Sequence, residues 1–348
     1  MSGTSVDGLD MALVEFKQSE KGTWKQQILH TASIDYTAEQ RQKLKDSIFL
    51  SAPDLYHLDY LYGEWLGEQV KAFCKKYPVQ PDYVASHGHT VFHEPERNVT
   101  VQIGDGQVIA EVSRISTIYD FRSLDVQLGG QGAPLVPLGD RDLLSDYDFC
   151  LNLGGIANVS FEYQGKRVAY DIGPANMLLN YICQELNIAY DKGGRIAQEG
   201  SLIPFMLEDL SQLEYYQQAF PKSTGIEWFL AEVKPIVDST EGSPQDKLHT
   251  AVLHLADLYA KDILQFANAD QQLIVTGGGA KNDFLITHLR AKLLPQVKVV
   301  VPDEELIDFK EAMVFAYLGL KRILGEPNCL ASVTGARRDS CGGRLVIL

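Results

Sequence analysis

YDFCLNLGGIANVSFEY, residues 147–163, is the stretch that decides the fold. Two apolar and β-branched runs, residues 147–153 and 157–163, stand on either side of the pair Gly154-Gly155. Short runs of this kind separated by a glycine-rich turn are typical of a β-hairpin. The stretch therefore predicts two antiparallel strands joined by a glycine turn.

The sequence after this hairpin adds strands and helices in alternation. Residues 166–170 predict a strand that leads through Asp171-Ile172-Gly173-Pro174 into a helix, since proline suits the first helical position. Further elements are predicted as helices over 249–266, 282–293 and 311–324, and as a strand over 273–276 that ends at Gly277-Gly278-Gly279. Glu311 opens the last of these helices.

The N-terminal half uses the same combination of strands and glycine turns. A strand over 11–16 follows the turn Gly3-Thr4-Ser5-Val6-Asp7-Gly8, and Ser51 with Pro53 and Asp54 predicts a helix start. Short strands are predicted over 82–86, 99–103 and 115–119. Both halves therefore predict an α/β protein of two related domains that face each other across a central cleft, with sites at the strand ends.

Composition excludes several classes of function. The 348 residues contain 31 Lys+Arg and 46 Asp+Glu, a formal charge of −15, which disfavours binding to nucleic acid. No apolar run reaches the ~18 residues of a membrane span and no signal peptide opens the chain, so we expect a cytoplasmic protein with no membrane partner. The five scattered cysteines form no C-x-x-C pair, which favours reduced thiols over disulfides or a zinc site.

The three glycine turns are candidates for a nucleotide site. Glycine lets main-chain N–H groups approach a phosphate closely, and Thr4 and Ser5 add hydroxyl donors. Asp7 and Asp10 are suited to a hydrated Mg²⁺, which needs few carboxylates. Each turn alone reads equally as ordinary loop structure, but three at strand ends favour a phosphate site. The P-loop and the G-x-G-x-x-G dinucleotide motif are both missing from the sequence.

An ordered set of short motifs runs from the first residue to the last helix. They are MSGTSVDGLD (1–10), SHGHT (86–90), VQIG (101–104), DFR (120–122), GGQGAPLVP (129–137), LNLGGIANVS (151–160), DIGPAN (171–176), PKSTG (221–225), VTGGGAKN (275–282) and EA (311–312). In this order the set resembles the anhydro-N-acetylmuramic acid kinase family, within the sugar kinase, heat-shock ATPase and actin superfamily. The resemblance implies two ribonuclease-H-like (actin-like ATPase) domains.

The resemblance also implies an activity and a domain division. The family uses ATP, with Mg²⁺, and one water to convert 1,6-anhydro-N-acetylmuramic acid to N-acetylmuramic acid 6-phosphate during recycling of the bacterial cell wall. By resemblance the N-terminal domain covers residues 1–140, completed by 326–348. Residues 141–325 then form the C-terminal domain with the glycine turn on the adenosine side, and a homodimer is the family expectation.

Roles for individual residues follow from the same resemblance. Asp171 matches the general base that activates the attacking water, whereas from sequence alone it reads as the cap of the next helix. The nucleotide-binding residues implied are Gly3, Thr4, Ser5, Val6, Asp7, Gly8, Leu9, Asp10, Gly154, Gly155, Gly277, Gly278 and Gly279. The substrate-binding residues implied are Thr90, Arg122, Asn176 and Glu311.

Several of these residues also have a purely structural interpretation. Arg122 is suited to grip a carboxylate or phosphate, or alternatively to pair with Asp120 and Asp125 beside it. Glu311 is either a substrate-binding acid or a carboxylate that stabilises a helix start. Lys222 is either a ligand contact or a surface lysine. His87, His89 and His93 are expected to be structural or to line the substrate pocket, and the Mg²⁺ ligands stay unassigned.

This chain departs from the family pattern at a few points. The family usually has a hydrophobic strand before Met-Ser-Gly-Thr, and this chain starts at that Met. Either the start is assigned late, or a missing central strand leaves main-chain groups unpaired and impairs stability and activity. His89, Asp140 and Asn180 also differ from the family pattern, which bears on substrate preference. Two other functions fit the motifs: a kinase of the same fold for another sugar, and a binding module without catalysis.

Overall fold

The computed structural model describes residues 1–2 and 6–348, which form two compact units. One unit comprises Met1–Leu143 with Phe309–Leu348, and the other comprises Leu144–Asp308. The sequence placed residues 309–325 with the second domain. In the structure they pack in the first unit, because Phe315 stacks edge-on against Phe121 and His87 there, with ring centroids 5.5 and 4.8 Å away.

Strands and helices alternate along the described residues. The strands are β1 Gly8–Gln18, β2 Trp24–Asp35, β3 Val84–Ala85, β4 His89–Glu94, β5 Val99–Ile103, β6 Thr117–Tyr119, β7 Phe149–Leu153, β8 Ile156–Tyr163, β9 Lys166–Pro174, β10 Gln271–Thr276, β11 Val297–Val300 and β12 Arg344–Val346. The helices are α1 Ala38–Asp46, α2 Ala52–Lys76, α3 Gly106–Ser113, α4 Ser123–Gln127, α5 Val136–Leu143, α6 Asn176–Cys183, α7 Arg195–Glu199, α8 Pro204–Ser211, α9 Ile226–Trp228, α10 Lys234–Ser239, α11 Pro244–Leu264, α12 Asp283–Leu293, α13 Glu304–Leu324 and α14 Ala331–Thr334. The predicted α/β class is confirmed.

The second unit is built on one five-stranded sheet in the order β11-β10-β7-β8-β9. The central strand β7 pairs parallel with β10 and antiparallel with β8, so the predicted hairpin around Gly154-Gly155 is confirmed. Helix α11 covers the sheet with a face of fully buried side chains that includes Leu255, Tyr259 and Ile263. A buried parallel strand between two neighbours is the usual centre of such a sheet.

The described residues of the first unit form three separate sheets. These are the long hairpin β1-β2, the hairpin β4-β5, and a sheet in the order β12-β6-β3. Helix α2 begins where the sequence indicated, with the Ser51 side chain accepting a hydrogen bond from the Asp54 main chain. In the described part of the chain, no helix has both the length and the apolar character that a membrane span needs.

Two predicted helix starts are wrong. Pro174 is the last residue of β9, paired opposite Ile156, and the following helix begins at Asn176. Glu311 lies well inside α13, which begins at Glu304 after the Asp303 carboxylate accepts the Leu306 N–H. Glu311 therefore does not stabilise a helix start. Strand pairing moved the first boundary from Pro174 to Asn176, and a capping interaction moved the second from Glu311 to Glu304.

Candidate functional site

The glycine turns of the second unit meet at the C-terminal ends of β7 and β10. Gly277 has φ +78°, and a Cβ there would lie 2.8 Å from Asn152 Oδ1 and 2.9 Å from the Leu153 carbonyl carbon. A Cβ on Gly279 would lie 2.6 Å from the Leu153 Cβ. Because glycine alone tolerates these approaches, the turn after β10 packs directly on the end of β7.

Asn176 ties the Gly154-Gly155 turn to the start of α6 and lies beside the turn after β10. Its side-chain amide donates to the Leu153 carbonyl at 3.0 Å, and its main-chain N–H donates to the Gly154 carbonyl at 3.1 Å. A Cβ added to Gly278 would meet nothing nearer than the Asn176 amide at 3.6 Å. The C-terminal ends of β7 and β10 thus bring together Gly154, Gly155, Gly278 and Asn176. Gly278 has space beside its main chain.

Asp171 lies on β9 with its carboxylate held by a loop far along the chain. Its Oδ2 accepts hydrogen bonds from Ser223 Oγ at 2.8 Å and from the Thr224 N–H at 3.0 Å. The helix that follows has Ala175 at its N-cap position. The interpretation of Asp171 as a helix cap is therefore wrong.

The main chain of Asp171 is fixed by the same loop. Its N–H donates to the Lys222 carbonyl at 3.2 Å, and its carbonyl accepts from Tyr215 Oη at 2.8 Å. Burial raises the pKa of the Asp171 carboxyl above its usual value, while the Thr224 and Ser223 donors oppose that rise. From the described residues, Oδ1 receives no hydrogen bond, so one oxygen of a rigidly held carboxylate is left to accept a proton.

Arg122 is anchored in the first unit by its guanidinium. Its Nε and Nη2 both lie within hydrogen-bond distance of His87 Nε2, at 3.1 and 2.8 Å, and its Nη1 donates to the Gly132 carbonyl at 2.6 Å. His87 Nδ1 lies 3.0 Å from the Gly88 carbonyl and must carry the hydrogen, so its Nε2 is the acceptor. Burial and the Arg122 charge lower the pKa of His87 to about 3, which keeps the ring neutral.

The two aspartates beside Arg122 have other partners. Asp120 forms a salt bridge with Arg344 at 2.9 Å, and the Asp125 carboxylate accepts from the Gly132 N–H at 2.8 Å and the Thr334 hydroxyl at 2.8 Å. Within the described residues, no ion pair joins Arg122 to either carboxylate. The local ion-pair interpretation of Arg122 is therefore wrong.

Glu311 is close enough to Arg122 for its negative charge to act on the guanidinium. The negative charge of Glu311 raises the pKa of the Arg122 guanidinium against the lowering caused by burial. It also favours the charged form of the Met1 amino group. Thr90 is placed on β4 opposite Gln102, in the antiparallel hairpin with β5. Arg122 and Glu311 are thus brought near each other, and Thr90 lies on a neighbouring element of the same unit.

The N-terminal glycine turn is described only in part, since Gly3, Thr4 and Ser5 lie outside the described residues. Val6 and Leu9 are buried in the core of the first unit. A Cβ on Gly8 would lie 2.6 Å from the Ile34 carbonyl oxygen, which explains that glycine by strand contact. Asp10 Oδ1 accepts a hydrogen bond from Ser33 at 2.5 Å.

In the part of the chain that the structure describes, no group of three or more His, Cys, Asp and Glu side chains is placed to hold a metal ion. His93 contacts Thr100 at 3.1 Å, and the buried Asp140 forms a salt bridge with Lys310 at 2.9 Å. The five cysteines are free thiols.

Several residues that position the candidate groups were not identified from the sequence. His87 orients Arg122, while Ser223, Thr224 and Tyr215 hold Asp171. The motif PKSTG at 221–225 contained two of these positions, but spacing alone gave no sign that they meet Asp171 some 50 residues earlier. Lys222, from the same motif, lies over the Tyr215 ring at 4.9 Å rather than free on the surface.

Comparison with known proteins matches the sequence of this chain to one family. The family model described as "Anhydro-N-acetylmuramic acid kinase" matches residues 1–347. Proteins of that name from Vibrio cholerae, Photobacterium profundum and Legionella pneumophila strain Paris are 37%, 35% and 34% identical to this chain. Each match covers 97% of this chain and 94% of the relative. The chain therefore belongs to the anhydro-N-acetylmuramic acid kinase family, a family of phosphotransferases.

Proposed function

We propose that this chain converts 1,6-anhydro-N-acetylmuramic acid, ATP and water to N-acetylmuramic acid 6-phosphate and ADP. Beside the family membership, the observation that carries the proposal is the Asp171 carboxylate. It has one oxygen bound by Ser223 and Thr224 and the other left to accept a proton. A raised pKa makes this carboxylate a stronger base than an exposed aspartate, which suits the activation of water.

The reaction balances with Asp171 as the single base. Asp171 takes a proton from a water molecule as the water oxygen forms a bond to the anomeric carbon. The bond between that carbon and O6 breaks, and its electron pair stays on O6. O6 then bonds to the γ-phosphorus of ATP while the bond to the bridging oxygen breaks and ADP leaves. Ring opening and phosphorylation are thus one sequence, and the phosphoryl step depends mainly on positioning and charge.

We assign the phosphates of ATP to the glycine turns. In the second unit, a Cβ on Gly278 would meet nothing nearer than the Asn176 amide at 3.6 Å, and Asn176 fixes the neighbouring turn. Main-chain N–H groups there would hold phosphate oxygens. Asp7 and Asp10 carry the oxygen donors that fit a hydrated Mg²⁺. When bound, Mg²⁺ would neutralise charge on the phosphates.

We assign Arg122 to the lactyl carboxylate of the sugar or to a phosphate. His87 and the Gly132 carbonyl use three of the N–H groups of the guanidinium, and they fix its plane before a ligand arrives. A preorganised guanidinium loses little freedom on binding a carboxylate or phosphate. Glu311 and Thr90 are proposed to contact sugar hydroxyl or amide groups.

A coupled assay of ADP release over a panel of sugars tests the proposal. Purified protein with Mg-ATP is expected to consume 1,6-anhydro-N-acetylmuramic acid and to form a 6-phosphate with one oxygen from ¹⁸O-labelled water at the anomeric carbon. Turnover of another sugar with none of the anhydro sugar would replace the proposed substrate. No turnover of any sugar would favour a binding module. The homodimer and the cytoplasmic location stay predictions.

A further inference from the structure

Asp125 is a buried carboxylate that lies one helical turn after Arg122. Both belong to the short helix α4, in which Arg122 is the N-cap and its carbonyl accepts the Val126 N–H at 3.2 Å. Asp125 is 1% exposed. Because a buried carboxylate is costly unless it is hydrogen-bonded, the groups around Asp125 must supply donors.

Three uncharged donors meet the Asp125 carboxylate. Its Oδ2 accepts the Gly132 N–H at 2.8 Å. Its Oδ1 accepts the Thr334 hydroxyl at 2.8 Å and the Cys329 thiol at 3.0 Å. An ionised carboxylate can accept all three because it carries no hydrogen, whereas an asparagine amide would turn N–H groups toward one of the two sides. The set of donors thus matches a carboxylate and not an amide.

Gly132 joins Asp125 to Arg122. Its N–H donates to Asp125 Oδ2, and its carbonyl accepts from Arg122 Nη1 at 2.6 Å. Gly132 has φ +68°, and a Cβ there would lie 2.7 Å from Val126 Cγ2, so no other residue fits without strain. Since the N–H and the carbonyl flank one Cα, the bond to Asp125 helps to fix the direction in which the Gly132 carbonyl points.

The rest of the loop at 129–132 is held by the same groups. The Gly130 N–H donates to the Asp125 carbonyl at 2.9 Å, and the Gln131 N–H donates to the Thr334 carbonyl at 2.8 Å. A Cβ on Gly130 would lie 2.2 Å from Asp125 Oδ2, so the main chain of the loop packs directly on the carboxylate. Asp125 therefore contacts both this loop and helix α14, which contains Thr334.

We propose that Asp125 is a positioning residue for Arg122 and acts on it through Gly132. The Asp125 carboxylate fixes Gly132, and the Gly132 carbonyl together with His87 fixes the plane of the guanidinium. Because Asp125 is buried, it acts on the substrate only through Arg122. Its role in turnover therefore rests on the proposed function, in which Arg122 binds the carboxylate or a phosphate of the substrate.

The charge of Asp125 supports the same role. Burial lowers the pKa of the Arg122 guanidinium, and the negative charge of Asp125 is one of those that raise it again. Asp125 forms no ion pair with Arg122 among the described residues, so it favours the charged guanidinium without occupying the N–H groups that a ligand needs.

A double-mutant cycle tests whether Asp125 acts through Arg122. KM for the anhydro sugar is measured in the native chain, in Asp125→Asn, in Arg122→Ala and in the double variant. Asp125→Asn is expected to raise this KM roughly 5- to 10-fold, with kcat and KM for ATP changed by less than about twofold. In the Arg122→Ala background the same substitution should change KM by less than about twofold, because its effect requires the guanidinium.

Asp120→Asn is the matched control, because Asp120 also lies beside Arg122 but pairs with Arg344. It should keep the native KM. Thr334→Val is a milder variant, which removes one donor from Asp125 and leaves the Gly132 contact in place. It should raise KM about threefold, whereas Thr334→Ser retains a hydroxyl and should restore the native value.

Hydrogen exchange at the Arg122 Nε–H reports the position of the guanidinium with no sugar present. His87 accepts this group in the native chain. In ¹⁵N NMR spectra, Asp125→Asn is expected to speed the exchange at least ~10-fold, and Asp120→Asn to leave it unchanged. This measurement does not depend on which substrate the protein uses.

The outcomes separate positioning from a general loss of structure. Equal rises in KM from Asp125→Asn with and without the Arg122 side chain would overturn the proposal, because the effect would then not pass through Arg122. An unchanged exchange rate in Asp125→Asn, or equal KM in the Thr334→Val and Thr334→Ser variants, would also overturn it. A native KM in Arg122→Ala would instead contradict the proposed binding role of Arg122, and the exchange rate would then decide whether Asp125 positions it.

Discussion

The Arg122 guanidinium donates to the neutral imidazole of His87: its Nε and Nη2 lie 3.1 and 2.8 Å from His87 Nε2. The ring stays uncharged because burial and the Arg122 charge lower its pKa to about 3. A carboxylate in the same place would neutralise the guanidinium, whereas a neutral imidazole orients it and leaves its charge for a ligand. The pair is thus suited to bind an anionic group of the substrate.

Replacing His87 should therefore weaken substrate binding more than chemistry. His87→Leu removes the acceptor and leaves Arg122 held only by the Gly132 carbonyl. We expect KM for the anhydro sugar to rise roughly tenfold, the equivalent of about 1.4 kcal/mol, with a smaller change in kcat. His30→Leu, at a histidine of the same unit whose ring stacks on Tyr77, is the matched control. An unchanged KM in His87→Leu would contradict the assignment of Arg122 to substrate binding.

The same histidine should make stability depend on pH. The pKa of His87 is about 3 in the folded protein and ~6.5 when unfolded, so between these values the unfolded chain binds more protons. The free energy of unfolding should then fall as pH falls from ~6.5, by up to ~1.4 kcal/mol per pH unit for this group. Urea unfolding of the native protein and of His87→Leu at pH 7, 6 and 5 measures this pH dependence of the free energy of unfolding. A slope unchanged by the substitution would contradict the assignment.

Local patterns predicted the elements that carry the site, but not the contacts that shape it. The strands around Gly154-Gly155 and the start of α2 at Ser51 were readable because alternation, turn and capping signals lie within a few residues. The start of α13 was missed because the helix is capped at Asp303, ahead of the residues whose regular apolar spacing predicts a helix. Strand β2, Trp24–Asp35, was also missed, although its exposure alternates along most of its length.

The partners of Arg122 and Asp171 could not be found in this way. His87 is 35 residues from Arg122, and Ser223 is 52 residues from Asp171. Such pairs depend on which strand ends and loops the fold brings together, and no periodic signal encodes that. From the sequence, Asp171 looked like a helix cap because Asp before Gly-Pro is a common helix start. The continuation of β9 through Pro174 removed that possibility.

Gly277 and Gly278, the first two of the three glycines after β10, should respond differently to alanine. Gly277→Ala should destabilise the fold by ~1–2 kcal/mol or more, because φ is +78° and the new Cβ would lie 2.8 Å from Asn152 Oδ1. Gly278→Ala meets nothing closer than 3.6 Å and should leave Tm unchanged. If the phosphates of ATP lie against Gly278, its Cβ should raise KM for ATP. Thermal unfolding measures the effect on stability, and ATP titration measures the effect on KM. An unchanged KM for ATP in Gly278→Ala would mean that the phosphates do not lie against Gly278.

Removing the Ser223 hydroxyl should shift the pH dependence of turnover. That donor lowers the pKa of Asp171 against the rise caused by burial, so Ser223→Ala should raise the pKa further. Because the base must be ionised, kcat falls as pH drops through this pKa, and the acid limb should move to higher pH. Ser211→Ala, whose hydroxyl bonds the Leu207 carbonyl, is the control. An acid limb at the same pH in both variants would mean that another group controls it.

Asp171→Asn isolates the charge of the proposed base from its place in the structure. Asparagine can still accept from Ser223 Oγ and the Thr224 N–H, so Tm should change little. Without a proton acceptor for the water, kcat should fall by ~10² to 10⁴-fold, while KM for ATP stays nearly constant. Asp262→Asn changes another buried carboxylate of the same unit, bonded to Tyr170 Oη at 2.7 Å, and should retain kcat within a few-fold. If Asp171→Asn keeps full turnover, the water is activated by a different group and the proton route proposed above is wrong.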